Sequence, residues 1–145
     1  MRLKLTIDPI PISSWGVSLS NKLSKKEWDK IRRSVYASAN HTCEICGNMN
    51  ETLYCHELWR FTERPRVQRL IGFECCCKIC SDVHHFGRSS QIYGKAYLDK
   101  LTKHWCSVND KTIQNFARYQ REVFEISKKR ANRFYTVKVG WRVLT

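Results

Sequence analysis

The order of hydrophobic and polar residues predicts a short strand near each end of the chain. Leu3, Leu5 and Ile7 alternate with polar residues, as in a half-buried strand, and Pro9 ends the pattern. Apolar residues alternate in the same way over residues 135–143. These two strands are expected to pair, which would give a small terminal β-sheet.

Three segments carry apolar residues at the spacing of an amphipathic helix. Residues 25–38 form the first, and Ser24 and Glu27 make a capping box at its start. Residues 95–105 and 112–130 form the second and the third. The inward side of the third helix is predicted to carry Ile113, Phe116, Val123 and Phe124.

The middle of the chain has the pattern of a β-hairpin. Residues 53–61 and 67–75 are rich in aromatic, β-branched and other apolar residues, and the polar loop 62–66 between them has hairpin length. Residues 12–23 are rich in Ser and Asn, which predicts a loop. After Cys80, a short polar stretch that contains histidine and ends near Gly87 fits one to two turns of helix.

Length and charge limit the class of protein. The chain has 145 residues, which suits a single domain over residues 1–145, and its 42% hydrophobic residues argue against disorder. Lys and Arg number 26 against 13 Asp and Glu, and the net charge of +13 divides into +4 for residues 1–50, +1 for residues 51–90 and +8 for residues 91–145. This charge favours a polyanionic partner, most simply nucleic acid. A solvated basic surface without such a partner is the alternative.

The compartment is predicted from what the sequence lacks. No stretch approaches the about 18 apolar residues of a membrane span. The N-terminus has no apolar signal-peptide core, so we expect a cytoplasmic protein with no membrane partner. Its eight cysteines are then expected to be reduced, and clustered thiols in a reducing compartment favour metal binding over disulfides.

Four cysteines have the spacing of a zinc site. Cys43 and Cys46 form one C-x-x-C pair, and Cys77 and Cys80 form another. Each pair directs two thiolates at one point, and two pairs complete the tetrahedron that zinc prefers. A knuckle, a hairpin and a second pair at a helix N-terminus follow one another as in a treble clef, which we place at residues 41–90. The alternative for these four cysteines is that they are buried in the core without a metal. We interpret Cys75, Cys76 and Cys106 as core cysteines of this kind.

The expected fold class is therefore α+β. It consists of a treble-clef ββα-metal finger with flanking helices and the small terminal sheet. A helix at residues 24–40 would precede the finger, and a basic helical segment and strand at residues 91–145 would follow it.

Two histidines are expected to converge beside the zinc site. His56 lies in the first hairpin strand, and His85 follows Cys80 by five residues. The hairpin of a treble clef faces the helix after it, so both rings can reach one cleft. A neutral imidazole can deprotonate water near neutral pH, and a second divalent cation can stabilise charge on a phosphate. His84 is either a back-up ligand or an exposed residue.

Three pieces of the chain resemble the HNH (His-Me finger) endonucleases. They are residues 43–47 (CEICG), residues 55–59 (CHELW) and residues 77–80 (CKIC) with His85 and Gly87. The likeness is closest to a subgroup from bacteria and phages, and it covers roughly residues 15–143. Outside the finger it includes residues 26–33, Val108-Asn109 and Trp141.

The resemblance implies a metal-dependent endonuclease that hydrolyses DNA phosphodiester bonds in a bacterial cell or a phage-infected host. His56 matches the general base, His85 matches a ligand of a catalytic Mg²⁺, Mn²⁺ or Ni²⁺ ion, and the four cysteines match the ligands of the structural zinc. Two positions depart from the commoner pattern. Cys55 stands where an Asp often helps to bind the catalytic metal, and Ser81 stands where Asn or His is common.

Two acidic residues could supply the missing carboxylate. Glu57 is one metal-ligand candidate, although strand alternation puts it on the face opposite His56, and Asp82 on the short helix is the other. Because of Cys55 and Ser81, a non-catalytic treble-clef protein is the alternative function. Such a protein would bind DNA, RNA or a host protein through its basic flanks.

Basic residues near the hairpin loop and on the last helix are the candidates for DNA binding. Contacts of this kind hold the phosphate backbone and do not read its sequence. The oligomeric state cannot be predicted from the sequence. The predicted contact residues are Arg64, Arg66, Arg118, Arg121, Lys128, Lys129 and Arg130.

Overall fold

A computed structural model describes residues 2–10, 18–49, 51–140 and 142–144. In these ranges the chain is a mixed α+β protein, as predicted. Six helices are present there: α1 (Leu19–Lys22), α2 (Lys25–Ser38), α3 (Lys78–His84), α4 (Phe86–Ile92), α5 (Lys95–Asn109) and α6 (Ile113–Arg130). Four strands accompany them: β1 (Leu53–Glu63), β2 (Arg66–Cys77), β3 (Thr136–Val139) and β4 (Arg142–Leu144).

Strands β1 and β2 form the predicted hairpin. They are antiparallel, and their pairing runs from Leu53 opposite Cys77 to Glu63 opposite Arg66. The predicted five-residue loop is wrong, because pairing continues until only residues 64–65 remain in the turn. The hairpin therefore reaches from the thiol-rich region at one end to a basic tip at the other.

The C-terminal strands extend this hairpin and do not form a separate terminal sheet. The sheet has the order β1-β2-β3-β4, with β3 parallel to β2 and β4 antiparallel to β3. The single strand predicted at residues 135–143 is interrupted at Gly140, whose φ of +59° favours glycine and allows the chain to turn. Trp141 lies outside the described residues.

The predicted N-terminal strand is wrong, and so is its pairing with the C-terminal strand. Residues 2–10 contain no strand. Their alternation reflects an extended segment that buries Leu5 and Ile7 against the helices, with no neighbouring strand in the described chain. Part of the predicted loop 12–23 is also wrong, because α1 occupies its end, and residues 11–17 lie outside the described residues.

Most helix predictions agree with the structure. Helix α2 begins with the predicted capping box, in which the side chains of Ser24 and Glu27 each accept a hydrogen bond from the other's backbone N–H. Helix α6 buries Phe116, but Ile113 and Phe124, predicted to face inward, are 59% and 63% exposed. The short helix also begins earlier than predicted, at Lys78.

The core lies between α3, α5, α6 and the N-terminal segment. Trp105 and Phe116 pack edge to face, with ring centroids 5.2 Å apart. Helix α3 is central because it carries core residues, a cysteine of the second C-x-x-C pair and His84, and His85 follows it directly. No helix within the described residues is long and apolar enough to cross a membrane. The core residues include Leu5, Val83, Leu101, Trp105, Phe116 and Val123.

Candidate metal centre and histidine cluster

Two C-x-x-C turns bring four cysteines together beside α3. Cys43 and Cys46 lie in the turn before β1, where Gly47 has a φ of +80°, which favours glycine. Cys77 ends β2, and Cys80 lies in the first turn of α3. The four Sγ atoms all lie within 4.8 Å of one another. We call these four residues the thiol cluster.

The thiol cluster fits a tetrahedral metal. Four thiolates at about 2.3 Å from a zinc ion would be about 3.8 Å apart, and Cys46 Sγ lies 3.6 Å from Cys77 Sγ. The knuckle is fixed to β2, since Glu44 N donates to Cys75 O and Cys75 N donates to Glu44 Oε2. Four cysteines arranged in this way could hold a structural metal such as zinc.

Burial and hydrogen bonds within the thiol cluster shift the pKa values of three of its thiols. Hydrogen bonding from Cys80 lowers the pKa of Cys77 to about 5, against the effect of burial. Burial raises the pKa of Cys46 to about 11. The hydrogen bond with Cys77, together with burial, also raises the pKa of Cys80. A divalent cation that binds these four thiols would displace their remaining protons.

His104, to which the sequence analysis assigned no function, lies next to the thiol cluster. Its Nε2 atom is 3.1 Å from Cys80 Sγ. Burial lowers the pKa of His104 below its usual value. The residue belongs to α5, 24 positions after Cys80, so no motif spacing could have identified the contact.

A second group of residues, which we call the histidine cluster, consists of Asp8, His56, His84 and His85. His56 comes from β1, and His84 and His85 come from the end of α3. The His56 ring stacks on His84 with centroids 4.0 Å apart and planes at 3°. It meets His85 edge to face with centroids 5.3 Å apart. The structure thus brings His56 and His85 together, and it adds His84 and Asp8.

His84 is held through both of its ring nitrogens. Nδ1 is 2.8 Å from Thr6 O, and Nε2 is 3.0 Å from Glu74 Oε1. Burial lowers the pKa of His84, but Glu74 and Asp8 outweigh this effect, so the pKa lies above its usual value. Ligand atoms of Asp8, His56 and His84 lie within 4.8 Å of one another. A ring that donates from both nitrogens has no lone pair for a metal, however, so we assign His84 a role in orienting its neighbours.

The surroundings of Asp8 favour its charged form, whereas those of His85 favour its neutral form. Burial would raise the pKa of Asp8, but the contact with His56 and the electrostatic attraction of the neighbouring histidine rings outweigh burial and lower it. Burial lowers the pKa of His85 to about 4, and repulsion from His56 adds to the effect. At neutral pH His85 is therefore an uncharged ring with a lone pair, which is the form that binds metal ions.

The histidine cluster lines a groove of about 620 Å³. Asp8, His56 and His85 contribute to its wall, and so do the basic side chains of Lys78 and Arg88. The groove is large enough for a small part of a polymeric ligand. Its wall also includes the aromatic residues Trp28, Tyr54, Trp59 and Tyr93.

Glu57, a predicted metal-ligand candidate, is held by other groups. Its Oε1 accepts from Leu19 N at 2.8 Å, and its Oε2 accepts from Trp59 Nε1 at 3.1 Å. Burial raises the pKa of Glu57, and these two hydrogen bonds act against the rise. The carboxylate therefore connects α1 to β1, and it is not part of the histidine cluster.

Asp82, the other carboxylate considered, is also engaged. Its Oδ2 accepts from Lys78 Nζ and from Tyr97 OH, each at 2.6 Å. These contacts connect α3 to α5. Among the described residues, Asp8 is the acidic side chain that contacts His56 directly.

The predicted DNA-contact residues do not all lie on one surface. Arg130 faces inward, where Nη1 donates to Pro9 O at 3.1 Å and the guanidinium lies 4.3 Å from the Phe61 ring centroid. Arg64 and Arg66 are exposed beside the hairpin turn. The remaining four are exposed and recur at helical spacing on the side of α6 away from its buried residues. This surface, the α6 basic face, consists of Arg118, Arg121, Lys128 and Lys129.

Asp8 is the residue of the histidine cluster that sequence reasoning missed. It ends the alternating run that predicted a strand, and nothing in its local sequence connects it with His56. His84 was noticed, but only as a back-up ligand or an exposed residue, whereas it is 2% exposed. A buried polar residue far along the chain becomes visible only when the fold is known.

Comparison with known proteins found no relative of this chain. No family model, no curated protein and no solved structure matches the chain. Any functional assignment therefore rests on the thiol cluster, the histidine cluster, the groove and the α6 basic face.

Proposed function

We propose that this chain is a zinc-containing, HNH-like endonuclease that hydrolyses DNA phosphodiester bonds with a divalent metal ion. The observation that carries the proposal is the position of His56 and His85. Their rings lie 5.3 Å apart in the wall of a groove, and one of them is an uncharged imidazole with a depressed pKa. A buried pair of this kind in a groove is a candidate for acid–base and metal chemistry.

The arrangement of elements supports a treble clef. The Cys43–Cys46 turn packs on the end of β2, the β1–β2 hairpin follows it, and Cys77 and Cys80 begin α3. In this proposal the thiol cluster binds the structural zinc. Its ligands are mutually close and largely buried, which leaves no open position for a substrate.

His85 is the proposed ligand of the catalytic Mg²⁺, Mn²⁺ or Ni²⁺ ion. Burial keeps its ring uncharged, so a lone pair is available without loss of a proton. The fit is supported by the donor chemistry of the groove, where a neutral imidazole lines the wall. When bound, such an ion supplies a positive charge that stabilises the phosphate and the leaving oxygen.

His56 is the proposed general base. It accepts a proton from a water molecule whose oxygen forms a new bond to phosphorus, while the bond from phosphorus to the leaving sugar oxygen breaks. The leaving oxygen takes its proton from solvent. Positioned proton transfer of this kind contributes roughly 10²–10⁴-fold to the rate.

DNA is the proposed substrate, and the α6 basic face is its proposed contact surface. The four basic side chains are exposed and recur on one side of the helix, where they can follow a phosphate backbone. Arg64 and Arg66 at the hairpin tip are a second proposed contact. Arg130 is excluded because its guanidinium is used within the fold.

Nicking of supercoiled plasmid tests the proposal. Zinc-loaded protein is incubated with Mg²⁺, Mn²⁺ or Ni²⁺, and His56→Asn is compared with His41→Asn. His41 is exposed and has a φ of +53°, a conformation that Asn also tolerates, so this control removes one imidazole outside the groove. We expect His56→Asn to lose about 10²-fold or more of the rate, with zinc content and melting temperature retained. Equal rates for the two variants would contradict the assignment of the base.

A second function has an observation in its favour. Glu57 and Asp82 are both held by structural hydrogen bonds, and the position before His56 is Cys55, so the chain has few acidic groups left for a catalytic metal. A non-catalytic treble-clef protein would use the same α6 basic face to bind DNA or RNA, or would bind a host protein. Salt-sensitive nucleic-acid binding without cleavage under any of the three metals would favour this alternative.

A further inference from the structure

The N-terminal segment, residues 2–10, is held in place by side chains of distant helices. Asn109 Oδ1 accepts from the backbone N–H groups of Lys4 and Leu5 at 2.8 and 3.1 Å, and its Nδ2 donates to Leu5 O at 3.0 Å. One asparagine on α5 therefore satisfies three backbone groups that a neighbouring strand would otherwise pair with. These contacts explain how the segment stays extended without belonging to the sheet.

Two further side chains fix the end of the segment. Tyr119 OH on α6 accepts from Ile7 N at 2.9 Å, and Arg130 Nη1 donates to Pro9 O at 3.1 Å. Leu5 and Ile7 are buried at 0% and 5% exposure. Asp8 thus lies between two anchored neighbours, which limits the directions in which its side chain can point.

Asp8 contacts the histidine cluster through both its backbone and its carboxylate. Its N–H donates to His84 O at 2.8 Å, and its Oδ2 lies 2.9 Å from His56 Nε2. The His56 side chain is 4% exposed, so water has little access to that nitrogen. Among the described residues Nε2 forms no hydrogen bond of acceptable angle, and the Asp8 carboxylate is an acceptor within hydrogen-bond distance of it.

The His84 ring fixes the plane of the His56 ring. Its two nitrogens are bound to Thr6 O and Glu74 Oε1, so it cannot rotate without breaking both contacts. His56 stacks on it at 4.0 Å with planes 3° apart. Asp8 Oδ1 also lies 3.8 Å from His84 Nδ1, which places the carboxylate next to both rings. The stack sets the orientation of His56, and Asp8 can then select which nitrogen carries the proton.

We infer that Asp8 is a positioning residue that holds His56 as the Nε2-protonated tautomer and leaves Nδ1 as the basic nitrogen. This inference rests on the proposed function for the role of His56 as a base. When Nδ1 accepts a proton from water, the ring becomes a cation, and the Asp8 carboxylate, which stays ionised, stabilises it. A carboxylate that orients a histidine in this way is worth up to about 10⁴-fold in rate in the serine-protease triad.

Long-range ¹H–¹⁵N correlation spectra of the zinc-loaded full chain test the inference without any substrate. In the wild-type protein we expect His56 to be the Nε2-protonated tautomer. In Asp8→Asn the amide can donate to Nε2, so we expect the Nδ1-protonated tautomer or a mixture. Asp8→Glu keeps the carboxylate and should keep the wild-type tautomer. An Nδ1-protonated His56 in the wild-type protein would overturn the inference even if no variant folds.

Two further measurements separate positioning from other roles. Asp99→Asn serves as the matched control, since Asp99 is exposed and paired with Lys95, away from the groove. We expect Asp8→Asn to lower kcat about 10²-fold or more with little change in KM, and Asp99→Asn to change neither. The Mn²⁺ affinity, measured by electron paramagnetic resonance, should stay within about threefold in Asp8→Asn. Loss of Mn²⁺ binding with an unchanged His56 tautomer would overturn the inference and make Asp8 a metal ligand.

The failure of this inference and the failure of the proposed function give different results. If the wild-type protein cuts no DNA but the tautomer changes in Asp8→Asn, the endonuclease proposal fails and the Asp8–His56 assignment stands. If the wild-type protein cuts DNA and Asp8→Asn cuts it equally fast with the same tautomer, the endonuclease proposal stands and Asp8 has no positioning role.

Discussion

The thiol cluster and the histidine cluster share helix α3 but are built in different ways. The thiol cluster uses one residue type, taken from two short turns, and its sulfurs lie within 4.8 Å of one another. The histidine cluster combines a carboxylate and three imidazoles from the N-terminal segment, β1 and the end of α3. The first can close around a metal, whereas the second lines a groove.

The proposed roles of the two clusters follow this difference, since the first would stabilise the fold and the second would carry out the reaction. Four equivalent thiolates complete a tetrahedron and leave no position for water or substrate. The histidine cluster instead holds rings with different pKa values next to a groove, since the pKa of His84 is raised and that of His85 is lowered to about 4. Groups with pKa values shifted in opposite directions are typical of acid–base sites.

The largest expected effect is on the thiol cluster. Cys80→Ser should remove the metal and abolish cooperative unfolding, because structural zinc can contribute on the order of 10 kcal/mol to folding. Cys106→Ser is the matched control, since Cys106 is half-buried on α5 and outside the cluster. It should lower stability by about 1 kcal/mol. Both variants are measured by zinc analysis and by thermal denaturation followed by circular dichroism. A Cys80→Ser protein that is stable without zinc would contradict a structural role for the metal at the thiol cluster.

A smaller effect concerns the pH dependence of stability. The pKa of His85 is about 4 in the folded chain and about 6.5 in an unfolded one. Below pH 6.5 the unfolded state therefore binds more protons, so His85 makes stability fall as the pH decreases from 6.5 towards 4. Between pH 7 and pH 4.5 the loss should be about 2–3 kcal/mol.

His85→Gln isolates this contribution. The zinc-loaded variant, without a second metal, should lose less stability between the two pH values than the wild-type protein does, as measured by urea denaturation. Protonation of the cysteines affects both proteins and cancels in the comparison. His84 has a raised pKa and acts in the opposite direction, since its contribution is present below pH 6.5 and is lost as the pH rises through its folded pKa. Identical pH profiles would show that His85 is not a buried neutral ring.

The smallest effect concerns the proposed DNA binding by the α6 basic face, which lies outside both clusters. Arg118→Ala with Arg121→Ala should weaken DNA binding about tenfold at 0.1 M salt and reduce the salt slope by about 2. Lys26→Ala with Lys30→Ala on α2 is the control, because these lysines are also exposed and the change in charge is the same. Fluorescence anisotropy at several salt concentrations measures both. Equal losses for the two pairs would mean that α6 is not a specific contact surface.

Features with a local pattern could be predicted from the sequence. The hairpin followed from two apolar runs, α2 and its capping box followed from Ser24, Glu27 and helical spacing, and the thiol cluster followed from two C-x-x-C pairs. In each case residues close in sequence determine the structure. The spacing within a turn or a helix already fixes which side chains meet.

Features that depend on distant partners could not be predicted. The alternating pattern at the N-terminus correctly predicted an extended backbone. The backbone groups of this segment, however, form hydrogen bonds with the side chains of Asn109, Tyr119 and Arg130 and not with a neighbouring strand. Asp8 lies 2.9 Å from His56 in a segment whose neighbouring residues are anchored by these contacts. His84 is buried where the end of α3 packs against the same segment, with Nδ1 2.8 Å from Thr6 O.

Anomalous X-ray scattering tests the contrast between the two clusters most directly. Crystals of the zinc-loaded protein grown with Mn²⁺ are measured above and below the zinc absorption edge. The account predicts a zinc peak within the thiol cluster and a separate manganese peak beside His85 in the groove. Zinc at the thiol cluster with no second peak at saturating manganese would contradict a metal-dependent reaction at the histidine cluster.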